Sequence, residues 1–124
     1  MEIIKLGWLG VRTEHDAQLA AFFSDVLGLA EEHREEGFWV FKLPDGAKVE
    51  VFGPATSWNP HFTTGPVAGF LVEDVWSAAE ELRTAGVEIV SGPSAGPDGM
   101  GWVHFRAPDG RLYEFTQDPG VARG

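Results

Sequence analysis

Apolar residues along this chain change period in the same way twice. The first run, "IIKLGWLGV" (residues 3–11), is short and strand-like. Leu19, Phe22, Phe23 and Val26 follow at i, i+3, i+4 and i+7, the spacing of one helix face. A glycine turn, "LGL", closes that helix. The same order returns with "PVAGFLV" (residues 66–72), then Val75, Ala78, Ala79 and Leu82, then "AGV". After each turn the pattern predicts another strand and then a hairpin. The hairpins are close copies: "FKLPDGAKVEVFG" (residues 41–53) and "FRAPDGRLYEFTQ" (residues 105–117).

At one constant offset Phe41 matches Phe105, Lys42 matches Arg106, Asp45 matches Asp109, Gly46 matches Gly110 and Glu50 matches Glu114. The fold class that follows is α+β, two tandem βαβββ modules. The expected organisation is one domain over 1–124: module 1 at 1–53, a turn-rich linker at 54–66, module 2 at 67–118 and a tail at 119–124. Residues 91–101, "SGPSAGPDGMG", read as a second loop, either an ordinary surface loop or, being long enough, a lid.

Pro-Asp-Gly sets a register. Pro fixes the first turn dihedral, Asp tolerates the next, and Gly takes the left-handed position. Leu43 then faces Ala47, and Ala107 faces Arg111. Counting inward, Val40 faces Glu50 and His104 faces Glu114. Alternation sorts the faces. Trp39, Phe41, Val49 and Val51 fall on one side of the first hairpin, and Val103, Phe105, Tyr113 and Phe115 on one side of the second. These apolar sides are predicted to pack under the helices. The other sides carry Phe38, Val40, Lys42, Lys48, Glu50 and Phe52 in one, and Trp102, His104, Arg106, Leu112 and Glu114 in the other. Two equivalent curled mixed sheets would turn these faces toward a central cup.

Charge narrows the partners. The chain has 9 Lys and Arg against 19 Asp and Glu, a net charge of −10. Such a surface repels phosphate backbones and anionic lipid, so neither nucleic acid nor membrane is an expected partner. There is no apolar run of membrane-spanning length. The absence of cysteine excludes thiol catalysis and cysteine-ligated metal. A cytoplasmic location is the expectation.

Two carboxylates among aromatic side chains are costly unless compensated. The compensation is a metal, a cationic ligand, a Lys or Arg partner such as Lys42, Lys48 or Arg106, or a retained proton. Among the four histidines, His15 falls at the first helix start and His33 in a charged strand, while His61 lies in the linker. His104 is the best placed, opposite Glu114. The plain alternative is a packed histidine bonded to that glutamate.

Four stretches in order carry a resemblance: "LGWLGVRTEHDAQLAAFFSDVLGL" (residues 6–29), "LPDGAKVEVFG" (43–53), "VAGFLVEDVWSAAEELRTAGVEIVSGP" (67–93) and "GWVHFRAPDGRLYEF" (101–115). Together they resemble the vicinal oxygen chelate superfamily, which includes glyoxalase I, extradiol dioxygenases and the fosfomycin and bleomycin resistance proteins. The resemblance implies sheets curled around a metal or ligand cup, and a homodimer. In metal-dependent members each module gives one ligand from its first strand and one glutamate from its last. Glu50 and Glu114 match the glutamates. Trp8 and Val67 stand where the first-strand ligands belong, and neither ligates a metal.

The reading is therefore a metal-free small-molecule binder similar in type to the bleomycin resistance proteins. It needs no cofactor and takes a planar or cationic ligand against Trp8, Phe38, Val40, Glu50, Phe52, Val67, Trp102, His104 and Glu114. The alternative is a divergent lyase, isomerase or oxygenase with Glu50, Glu114 and His104 as catalytic candidates. If a divalent metal (Zn, Mn, Fe or Ni) binds, those same three residues are the donor set.

Overall fold

The computed structural model describes residues 1–97 and 99–119. The fold is α+β, and the chain divides into two compact units: Trp8–Val67, and Met1–Gly7 together with the chain from Ala68 onward. Each holds most of one βαβββ module. In the first, β1 (Lys5–Arg12) leads to α1 (Asp16–Ala21), β2 (Ala30–Glu35), β3 (Phe38–Lys42) and β4 (Lys48–Phe52). In the second, β5 (Val67–Leu71) leads to α2 (Val75–Thr84), β6 (Glu88–Ala95), β7 (Gly101–Arg106) and β8 (Leu112–Gln117). The strand orders are β2-β3-β4-β1 and β5-β8-β7-β6. In both, the last strand lies parallel to the first and antiparallel to its hairpin partner. The glutamate-bearing strand is thus central rather than an edge.

The hairpins have the register that the turns dictate. Leu43 N–H donates to Ala47 C=O at 2.8 Å, and Ala107 N–H to Arg111 C=O at 2.9 Å. Asp45 and Asp109 each accept from the backbone N–H two residues on, at 2.9 and 3.0 Å. Gly46 and Gly110 sit at φ +90° and +86°, a region that a Cβ disfavours. Val40 stands opposite Glu50 and His104 opposite Glu114.

One face of each sheet is sealed by a helix. Ala20 of α1 packs with Phe41, Val49 and Val51, and Phe41 and Val51 are fully buried. Val75, Ala78, Ala79 and Leu82 of α2 pack with Val103, Phe105 and Phe115. Each large side chain buried this way contributes roughly 1.5–3 kcal/mol. Asp74 caps α2, accepting from Trp76 N–H at 2.9 Å. Gln117 accepts from Val75 N–H at 2.8 Å, so that end of the helix is satisfied from β8 as well.

Two sequence expectations are corrected. The i, i+3, i+4, i+7 face of the first helix holds only at Leu19 and Phe23. After Ala21 the helix widens into a π turn over Phe22–Val26. The wider turn rotates Phe22 and Val26 off the core, leaving them 46% and 69% exposed. Most of the proposed lid is strand: β6 continues to Ala95, with Ser94 opposite Trp102 and Ala95 opposite Gly101. β6 has two register shifts, and the one between Ser91 and Ser94 absorbs Pro93, which has no N–H to give the ladder. Beyond it, Gly96 N–H donates to Met100 C=O at 2.9 Å. The linker also does more than connect: Phe62, only 4% exposed, is a buried part of the first unit. The tail beyond residue 119 lies outside the described residues.

Candidate functional site

In the first unit, the sheet face away from α1 carries the chemistry. Parallel pairing places Trp8 opposite Lys48 and Gly10 opposite Glu50. Antiparallel pairing places Val40 opposite Glu50 and Phe38 opposite Phe52. Trp8, Gly10, Glu50, Val40, Phe38 and Phe52 therefore share one face. Phe38 and Phe52 have ring centroids 5.2 Å apart. Phe62 tilts against Trp8 at 5.9 Å and meets Phe52 edge-on at 6.1 Å. Trp58 stands edge-on to Phe38 at 4.9 Å and is about half exposed.

Glu50 lies inside this aromatic set. Its accessible surface is reduced but not lost, while Trp8, Val40 and Phe52 beside it are buried. Burial pushes its carboxyl from 4.5 up to about 7. A hydrogen bond from the Trp8 side chain and the nearby charge of Lys48 oppose the rise, Glu32 adds to it, and His33 opposes it weakly. Lys48 pairs with Glu32 and not with Glu50, so the expected lysine partnership goes to a β2 residue. Lys42 lies opposite Lys48 and is exposed. Near neutral pH, Glu50 is poised between carboxylic acid and carboxylate.

The matching position in the second unit is different. His104 Nε2 and Glu114 Oε1 share a hydrogen bond of 2.8 Å, and the two residues are 1% and 4% exposed. Arg106 turns instead to Glu88 at 3.4 Å and to the carbonyl of Gly110 at 2.9 Å. Trp102 is half-buried opposite Thr116. Val67, on β5, is 2% exposed. A Val opposite one glutamate and a His opposite the other give the two modules unlike chemistry. Glu114 has a polar neighbour across the strand, whereas Glu50 finds its donor on β1.

Phe62 is the part of this site least visible in the sequence, whereas His61 reads there as a linker histidine. His61 packs edge-on to Phe62 at 4.9 Å, and burial lowers its pKa, favouring the neutral ring. Phe62 lies in a segment without periodicity, and its only signal is an aromatic residue within a turn-rich linker. A groove of about 300 Å³ lies in the second unit, between the N-terminal segment and the start of α2. It is lined by carboxylates including Glu2, Glu73 and Glu81, and the Met1 amine already pairs with Glu81 at 2.6 Å.

The profile of the Glyoxalase/Bleomycin resistance protein/Dioxygenase superfamily matches residues 5–115, and the chain belongs to that family. No curated protein matches the sequence. Solved structures share the fold at low identity. Methylmalonyl-CoA epimerase in complex with methylmalonyl-CoA and NH4+ is 17% identical, with a TM-score of 0.71 over 99% of this chain and 100% of that one. A hypothetical protein from Bacillus halodurans C-125 is 19% identical, with a TM-score of 0.70 over 97% and 98%. A Streptomyces coelicolor methylmalonyl-CoA epimerase variant in complex with 2-nitronate-propionyl-CoA is 18% identical, with a TM-score of 0.69 over 99% and 100%.

A divalent metal is the cofactor that the resemblance raises, and the donor set here fits one poorly. The indole N–H of Trp8 donates and has no lone pair to offer, and Val67 has no polar atom. The Glu50 carboxyl is engaged by Trp8, and that of Glu114 by His104. Among the described residues no group of three or more His, Cys, Asp or Glu side chains is disposed to hold a metal ion.

Proposed function

We propose that this protein binds a small planar or cationic molecule on the aromatic face of its first module, with Glu50 as the polar anchor. The observation that carries the reading is the environment of Glu50: a partly accessible carboxyl among Trp8, Phe38, Phe52 and Phe62, with a pKa of about 7. Ionised, it lacks a contacting cation from its own strand, because Lys48 is committed to Glu32. A ligand cation would supply that charge, and the rings would supply stacking area. Capture and release of such a ligand need no further group, as in the bleomycin resistance proteins that give the family part of its name. A net charge of −10 would favour the approach of cations. A homodimer and a cytoplasmic location belong to this reading as well.

The test is an equilibrium titration with 1-methylquinolinium, a planar aromatic cation, followed by tryptophan fluorescence. Saturable quenching supports the reading. No change at high micromolar concentration would overturn it.

The same carboxyl favours a second reading, proton-transfer catalysis. A general base works best when its pKa lies near the working pH. Glu50 would then remove a proton next to a carbonyl, with His104 and Glu114 as the remaining candidates. Methylmalonyl-CoA, bound by one of the structural neighbours, is a suitable probe. Deuterium uptake at its α-carbon in D2O, lost in Glu50→Gln, would favour this reading over simple binding.

A further inference from the structure

Gly10 lies directly opposite Glu50 in the β1–β4 ladder, two residues from Trp8 and on the same face. A Cβ built at Gly10 would lie 2.0 Å from one atom of the Trp8 six-membered ring, and 2.4 and 2.8 Å from two others. All three atoms belong to the ring, so the indole lies across the strand over the bare backbone of residue 10. This is the side chain whose hydrogen bond reaches Glu50. Phe62 packs on the same indole at 5.9 Å. Ordinary Cβ contacts start near 3.4 Å, and a ring held by a second buried aromatic cannot retreat without losing its place.

We infer that Gly10 is a positioning residue for the binding site: having no side chain, it lets the Trp8 indole fold across β1 and donate its N–H to Glu50. The indole is then both the aromatic wall and the orienter of the carboxyl. It takes the place from which a first-strand side chain would otherwise reach the same carboxyl. Gly10 acts only through Trp8 and touches no ligand itself. Its meaning for binding rests on the reading of Glu50 as the anchor, but the Gly10–Trp8–Glu50 arrangement can be tested without any ligand.

The test is ligand-free 1H–15N NMR of the five tryptophan indoles, with the Trp8 signal assigned by its loss in Trp8→Phe. In the wild type, the Trp8 indole proton should exchange slowly and should shift in Glu50→Ala. In Gly10→Ala the signal should move to the free-indole position and exchange at least tenfold faster. The other four should stay in place. An unchanged Trp8 signal in folded Gly10→Ala would overturn the inference.

If Gly10→Ala is too unstable to study, a double-mutant cycle decides. Gly10→Ala added to Trp8→Leu should leave the urea midpoint unshifted, because the clash partner is gone. An equal shift in both backgrounds would overturn the inference. Failure of 1-methylquinolinium to bind, with these results intact, would count against the proposed function alone.

Discussion

Gly10 and Glu50 face each other across two parallel strands, and the ring of Trp8 lies over the gap that the glycine leaves. The matched glutamate of the second module, Glu114, has an imidazole across its hairpin instead. One hairpin design thus carries two carboxyls in unlike states. One is tied to a buried histidine, and the other is held by an indole and still partly accessible.

The Glu50 carboxyl makes stability depend on pH with a definite sign. Its pKa rises from 4.5 to about 7 on folding, so between those values the folded chain binds the proton that the unfolded chain releases. Its contribution is most favourable below pH 4.5, declines as pH rises toward 7, and levels off above. The loss is at most roughly 3 kcal/mol. Glu50→Gln should flatten this part of the profile and raise the urea midpoint at pH 8. A wild-type slope that persists in Glu50→Gln would contradict the assignment.

His104 and Glu114 form a buried polar pair, and removing one partner strands the other. His104→Ala should cost about 2–4 kcal/mol in urea unfolding. Glu114→Gln keeps a hydrogen-bonding acceptor and should cost less than half as much. Equal losses for the two variants would contradict this and show that the pair depends on the carboxylate itself and not merely on an acceptor oxygen.

Gly110 tests the turn chemistry in isolation. At φ +86° it has no atom within 4 Å of a built Cβ, so substitution strains only the backbone. Gly110→Ala should destabilise by about 1–2 kcal/mol, and Gly110→Asn by less, because Asn tolerates the left-handed region. Thermal unfolding of the two variants reads this directly.

Much of the fold was legible because local chemistry specifies it. Pro44-Asp45-Gly46 and Pro108-Asp109-Gly110 fix the hairpin registers, and alternation then assigns every face down to Val40–Glu50 and His104–Glu114. What the sequence concealed is set by contacts between distant segments. The register of β1 on β4, which places Gly10 against Glu50, follows from packing and not from a turn. Trp8 was legible as a stacking surface in a ligand's place, but its hydrogen bond to Glu50 was not, because the bond depends on that register. Phe62 lies in a segment with no period to read. Phe22 and Val26 fit a helical spacing that the π turn then breaks. Residues 91–95 carry loop-like composition yet pair with β7, since a strand with register shifts accommodates Gly and Pro.

The central claim, that Glu50 anchors a cationic ligand on an aromatic face, is tested most directly by comparing two isosteres. 1-Methylquinolinium and 1-methylnaphthalene share a shape and differ by a charge. Both are titrated into the wild type and Glu50→Gln at pH 6 and pH 8. The account predicts that the cation binds the wild type about tenfold more tightly at pH 8, where a carboxyl of pKa about 7 is ionised. It also predicts that this preference disappears in Glu50→Gln and that the neutral isostere binds independently of pH. Equal affinity of the wild type and Glu50→Gln for the cation at pH 8 would contradict it.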